Sequence, residues 1–324
     1  MWLVFALVCF FAWGAADLFY KRGAVENEKL SHLKTSVIVG LVMGVTAIVT
    51  LLVKNVNYDF RNLLVYLPVS FFYISSMTVG YFGLRYLEVS VSSPVQNASG
   101  AVSAILLMIF LQELPGIPDI VSMVLITAGV VLLGILERRK EVRYLEEHER
   151  KYKIGFIAFM MPIFYCILDA LGTFLDGSYL DDGERSPLIG VTEDNIEDVA
   201  NVSYQLTFLI VALILLFYIL VIKREKFVIK QQGNRLVAAL FETGGQLAYV
   251  YAMSGNGIVA APVVASYCVF SMILGRIFLK EKLTWKQYLA IGLVVAGIVI
   301  LGVLEGLDVA QEAEEAVTAL LQAG

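Results

Sequence analysis

Residues 91–113 read VSSPVQNASGAVSAILLMIFLQE, and residues 259–281 read VAAPVVASYCVFSMILGRIFLKE. Set side by side at an offset of 168 residues, they agree at 10 of 23 positions without a gap, among them Pro94/Pro262, Ser103/Ser271 and Glu113/Glu281. The register continues through AGVVLLGILE at 128–137 and AGIVILGVLE at 296–305. Chance agreement between apolar stretches is on the order of one position in ten, so the chain carries an internal duplication.

Both copies lie in apolar sequence. Of the 324 residues 59% are AVILMFWYC and only 16% are charged, and the mean hydropathy is +0.77. A soluble domain is nearer half apolar and about one quarter charged, which excludes a soluble enzyme and a disordered chain. Apolar runs separated by short polar punctuation give ten expected spans, roughly 2–20, 35–53, 63–84, 89–111, 117–136, 154–175, 202–222, 236–253, 256–275 and 285–304. Each is near the ~20 residues that carry a helix across about 30 Å of hydrocarbon. Alternating ten-residue segments are absent, which argues against a β-barrel. The N-terminal MWLVFALVCF has no positive leader and no small-residue cleavage site, so it reads as a retained span.

The expected organisation is therefore an all-α integral membrane protein of ten transmembrane helices in two five-helix repeats, 1–137 and 154–304. They are joined by a charged linker at 138–153. An acidic loop at 176–201 interrupts the second repeat, and an acidic tail at 305–324, drawn as a short amphipathic helix, follows it. Five spans per repeat is an odd number, so the second copy runs upside down relative to the first. Inverted repeats of this kind build transporters with a midplane site between the halves.

About twenty Lys and Arg fall in connectors 1–2, 3–4, 5–6, 7–8 and 9–10 and about three on the opposite side, which places the first set in the cytoplasm and both termini outside. The membrane expected is the plasma (inner) membrane.

Ten spans in two halves, a Pro in spans 4 and 9, a Glu closing each of those helices, and the AG…LG pattern of spans 5 and 10 resemble the EamA-type transporters of the drug/metabolite transporter superfamily. The resemblance covers essentially residues 1–304. It implies a carrier of amino acids, quaternary amines, sugars or other metabolites. Family members are usually drawn with both termini in the cytoplasm, and the charge count here argues the reverse.

Ionisable residues inside spans are the chemically informative ones, because a charge at the bilayer centre costs ~3 kcal/mol or more. Three acids qualify: Asp17 in span 1, Asp169 in span 6 and Glu242 in span 8. Each has companions at helical spacing: Trp13 with Asp17, Tyr165 and Thr173 with Asp169, Gln246 and Tyr249 with Glu242. Aligning FFAWGAADLF with PIFYCILDAL, at an offset of 152, pairs Trp13 with Tyr165 and Asp17 with Asp169. An acid beside aromatic rings is what an ammonium group needs. The same polar faces can serve as glue between helices.

A buried carboxylate is also a proton acceptor, so Asp17, Asp169 and Glu242 are candidates for proton coupling as well. A polar stripe of Ser92, Gln96, Ser99 and Ser103, with Asn97 beside it, points span 4 at the same cavity or at span 9. Pro94, Pro262, Glu113 and Glu281 read as structural, the prolines kinking or starting helices and the glutamates bonding at helix ends.

The substrate-binding set is thus Trp13, Asp17, Gln96, Tyr165, Asp169, Glu242, Gln246 and Tyr249. The cargo expected is a cationic or zwitterionic solute: a quaternary amine, polyamine or amino acid. A neutral or anionic metabolite, such as a sugar or nucleotide-sugar, is the alternative, although no deep Lys or Arg stands ready to neutralise an anion. A passive channel is a further option. An intramembrane aspartyl enzyme using Asp17 and Asp169 is remote, since the LDALG context of Asp169 lacks the Gly-x-Gly-Asp pattern of such proteases.

No ATP-binding Walker A motif occurs, so the energy source is an ion or solute gradient. Cys9, Cys166 and Cys268 sit in apolar runs, while His32 and His148 lie in charged connectors, so neither metal nor cofactor is expected. The partners expected are a small molecule and the lipid bilayer, with no nucleic acid. One copy of the chain suffices to enclose a cavity.

Overall fold

The computed structural model describes residues 1–25, 28–147, 152–183 and 185–323, and the side chains of 91, 137–159 and 308–324 lie outside that description. The charged side chains of the 138–153 linker and most of those of the acidic tail therefore fall outside it. The described residues are helical, with α1 (Trp2–Gly23), α2 (Ser31–Val53), α3 (Asn62–Val65), α4 (Leu67–Gly83), α5 (Val89–Gln96) and α6 (Ser99–Leu111) leading into α7 (Ile117–Glu147). Then follow α8 (Tyr152–Leu180), α9 (Ile196–Phe217), α10 (Gly233–Ala265), α11 (Tyr267–Leu274) and α12 (Trp285–Ala323).

Eight stretches among them are long and apolar enough to cross a membrane. One of these, Gly233–Leu279, has 47 residues. As a straight helix it would run about 70 Å, more than twice the hydrocarbon thickness. It does not run straight, because Asn256 leaves helical geometry (φ −167°, ψ 76°), and its side chain accepts the Val259 N–H at 3.3 Å to restart the helix. Large side chains such as Phe11, Ile48, Phe71, Ile109, Phe164 and Leu213 are exposed on the outside of the bundle, as a lipid-facing surface requires.

The duplicated segments adopt matching local structure. α6 begins at Ser99 and α11 at Tyr267, mates at offset 168. The preceding prolines, Pro94 and Pro262, each sit inside a helix shortly before the break. Each segment then ends on a non-glycine residue in the left-handed region, Gln112 (φ 59°) and Lys280 (φ 60°). A side chain there costs roughly 1–2 kcal/mol, so the same strained turn is held twice, each time aiming the glutamate that follows it.

The AG motifs pack α7 against α12. A Cβ on Gly129 would lie 2.8 Å from the Ala290 carbonyl, and one on Gly297 would lie 2.8 Å from the Ser122 carbonyl. Ser122 and Ala290 are themselves mates at offset 168. Hydrogen in place of a side chain lets the two backbones approach. Elsewhere α1 lies along α10, α4 along α8 and α2 along α9.

Several boundaries differ from the sequence reading: α7 runs to Glu147, into the 138–153 linker, and α9 already begins at Ile196, inside the 176–201 loop. α8 continues to Leu180, so Asp176 is buried within it instead of opening the acidic loop. α12 runs without interruption into the acidic tail.

Candidate functional site

α1, α4, α5, α6, α8, α9, α10 and α11 converge on a central chamber of about 60 Å³. That is room for a few water molecules. All eight residues expected to bind substrate line it: Trp13, Asp17, Gln96, Tyr165, Asp169, Glu242, Gln246 and Tyr249.

The two aspartates are held by serines. Ser93 and Ser271 each donate to Oδ2 of Asp17 at 2.7 Å, and Ser99 donates to Oδ2 of Asp169 at 2.7 Å. Glu242 accepts the Tyr20 hydroxyl at 3.3 Å, and Tyr81 in turn donates to Tyr20 at 3.0 Å.

Trp13 donates its indole N–H to the Glu242 carbonyl at 3.1 Å, not to a carboxylate. Its ring lies 5.2 Å from Tyr249 and 5.7 Å from Tyr267, which makes one aromatic wall. Tyr73 meets Tyr249 hydroxyl to hydroxyl at 2.6 Å and donates to Thr173 at 3.2 Å. The side-chain N–H groups of Gln96 and Gln246 are buried with no acceptor. Among the described residues no Lys or Arg lines the chamber.

Of the span-4 stripe, Gln96 and Ser99 face the chamber. Ser103 bonds its own helix, to Ser99 and Gly100 carbonyls at 3.1 Å, and Ser92 is buried without a partner. The sequence reading places Ser92 in the stripe, whereas it is its neighbour on α5, Ser93, that reaches Asp17. Tyr20, Tyr73, Tyr81, Tyr204 and Tyr267 also line the chamber and were not singled out.

The two sides of the chamber differ. On the side of the lysine- and arginine-rich connectors, Glu281 is only 6% exposed. Its Oε1 accepts the Val89 N–H at 3.1 Å and its Oε2 the Ser90 N–H at 3.0 Å. It thereby caps the start of α5 instead of its own helix end. Lys21 adds two bonds, to the Leu84 carbonyl at 2.9 Å and the Leu87 carbonyl at 2.5 Å.

On the other side, a vestibule of about 810 Å³ opens among Glu113, Asp181, Glu193, Glu197, Gly257 and Ile258, among others. There burial, then the nearby charges of Glu113 and Asp182, raise the Asp181 carboxyl above its ordinary range against the pull of Arg185. Gly257 and Ile258 are the mates of Val89 and Ser90, and Glu113 is the mate of Glu281. Among the described residues no hydrogen bond joins Glu113 to them. An apolar layer separates vestibule from chamber: buried Leu107 and Met253 rest on Gly177, where a Cβ would lie 2.9 Å from both Leu107 methyls and 3.1 Å from the Met253 methyl.

The sequence matches the EamA-like transporter family over residues 1–135 and 195–303. The chain belongs to the EamA-like transporter family. It is accordingly an integral, multi-pass membrane transporter of the drug/metabolite transporter superfamily. A crystal structure of a protein is similar to this transporter in fold, with a TM-score of 0.60 over 94% of this chain and 96% of that one, at 14% sequence identity. No curated protein matches the sequence.

Proposed function

We propose that this EamA-like transporter moves a small cationic or zwitterionic solute, such as a quaternary amine, polyamine or amino acid, by alternating access between two inverted five-span halves. The observation that carries the reading is the chamber itself. Two carboxylates held by serine hydroxyls, Asp17 and Asp169, face aromatic rings with no lysine or arginine to neutralise them. An ammonium group supplies the missing charge, and the rings of Trp13, Tyr249 and Tyr267 offer their π faces to it. The bare amide donors of Gln96 and Gln246 call for an acceptor on the cargo, which favours a zwitterion over a simple amine.

The glutamate caps supply the gating chemistry. Glu281 closes one side by holding the start of α5, while its mate Glu113 stands in the open vestibule with Gly257 and Ile258. Exchange of the two caps would close the vestibule and free α5, which is alternating access expressed in two sets of hydrogen bonds. The positive-inside count supports a cytoplasmic location for the Glu281 side, both termini outside, in the plasma membrane.

The test is counterflow in proteoliposomes. Vesicles preloaded with unlabelled choline, putrescine or zwitterionic amino acids should take up the labelled form of one of them faster than empty vesicles, and Asp17→Asn should abolish this. Uptake confined to sugars or organic anions, or flux that never saturates, contradicts the reading.

A further inference from the structure

α8 carries a further acid, fully buried, that does not line the chamber. Asp176 follows Tyr165, Asp169 and Thr173 on one helix face, seven residues and about 10 Å beyond Asp169 along the axis. It is 0% exposed. Tyr66 donates to its Oδ1, and its Oδ2 has no hydrogen-bond partner.

The groups that face it are hydroxyls: Tyr66, just ahead of α4, Tyr73 on α4, Tyr204 on α9 and Tyr249 on α10. On its own helix the nearest acid is Asp169. Among the described residues no Lys, Arg or His pairs with it. An ionised carboxylate with one bare oxygen in an apolar interior is costly, and the neutral acid is far less so. Asp17 takes two serine donors and Asp169 one, whereas the one donor to Asp176 is the Tyr66 hydroxyl and its second oxygen is bare.

Its position is as specific as its surroundings. The next residue, Gly177, lines the vestibule with Leu180 and Asp181, while Thr173, one turn back, lines the chamber. Among the described residues, the buried Leu107 and Met253 side chains rest on Gly177, between this part of α8 and the vestibule. The Tyr249–Tyr73–Thr173 hydroxyl chain lies in the chamber wall, with Thr173 one turn back from Asp176 on α8.

We propose that Asp176 is a proton-binding site of the transport cycle, loaded from the vestibule when the Leu107–Met253 layer moves, and separate from Asp17 and Asp169, which face the cargo. A proton from vestibule water bonds to Oδ2, and the same proton leaves to water when the site next opens. The inference rests on the transporter reading for its role in the cycle, but the protonation itself is measurable without any cargo.

The test is infrared spectroscopy of the purified protein in detergent at pH 7, on the wild type, Asp176→Asn and Asp169→Asn. The wild type should show the C=O stretch of a protonated carboxyl in a dry site. Asp176→Asn should lose it and Asp169→Asn keep it. If Asp176→Asn misfolds, Tyr66→Phe replaces it, because loss of the one donor should shift the same band. A wild-type band that neither variant at Asp176 nor at Tyr66 alters overturns the inference. In vesicles carrying an internal pH dye, Asp176→Asn should exchange choline, putrescine or amino acids without moving protons, and proton movement equal to wild type also overturns it. If the wild type moves none of these probes, the cargo reading has failed, and the infrared band alone decides Asp176.

Discussion

Glu281 accepts the backbone N–H of Val89 at 3.1 Å, across 192 residues of sequence. A helix-end carboxylate thus holds the beginning of a helix in the other half of the chain. Charge-assisted bonds to backbone amides are worth roughly 1.5–3 kcal/mol each when buried. Glu281→Gln keeps the shape but can accept through only one oxygen, so the α5 cap should loosen. A cysteine placed at Ser90 should then react with a membrane-impermeant thiol reagent several-fold faster in Glu281→Gln than in the otherwise wild-type background. Glu113→Gln should not raise that rate, since the Glu113 cap belongs to the opposite state, in which α5 is free.

Ser93 and Ser271 reach the same oxygen of Asp17 from two different helices. Removing either hydroxyl should cost about 1 kcal/mol of stability. Removing both should cost more than the sum, because the second loss leaves the buried carboxylate with no serine donor. Melting curves of Ser93→Ala, Ser271→Ala and the double variant in one detergent check this. Additive losses would show that Asp17 has other donors.

Gly177 is where Leu107 and Met253 close the vestibule floor. Gly177→Val puts methyl groups into space those side chains already fill, which costs roughly 1–3 kcal/mol of overpacking. Counterflow should fall at least tenfold. A cysteine at Gly257, on the open side of that floor, should remain as reactive toward the impermeant reagent as in the wild type.

The cluster on the lysine-rich side is sensitive to acid. Lys34 donates to Glu28 at 2.5 Å and Arg235 at 2.6 Å. Burial alone would lift the Glu28 carboxyl, but those bonds outweigh it and hold it below the ordinary glutamate value of 4.5. A carboxyl lowered on folding stabilises the protein above the unfolded value, and that stability is lost as pH falls through the folded one. The melting-temperature gap between wild type and Glu28→Gln should be constant from about pH 7 to 5.5, then close as the pH drops below the ordinary glutamate range.

Much of this site was legible in the sequence because its signals are periodic. The duplication at 91–113 and 259–281, the prolines before each helix break and the three intramembrane acids with companions at helical spacing all lie on regular helix faces. What escaped was set by packing. Asp176 sits next to a run of acids in the sequence and was read with them, although its spacing from Asp169 and Thr173 marks the same buried face. Ser92 and Ser93 are neighbours on α5, about 100° apart around its axis, and how the short helix α5 is set against α1 decides which of them meets Asp17. Tyr20, Tyr73, Tyr81, Tyr204 and Tyr267 are five of 16 tyrosines, and a tyrosine in an apolar helix carries no mark of which helix its hydroxyl will meet. The partner that Glu281 caps lies on a different helix, a pairing no local pattern encodes.

The most direct measurement of the cargo reading is a thermal-shift screen of the purified protein in detergent against amines and quaternary ammonium compounds, zwitterionic amino acids, neutral sugars and organic anions. A ligand that binds only the folded state raises the melting temperature. The account predicts a rise confined to cations or zwitterions, lost in Asp17→Asn and in Asp169→Asn. A rise produced only by sugars or anions, and unchanged in both variants, would contradict it.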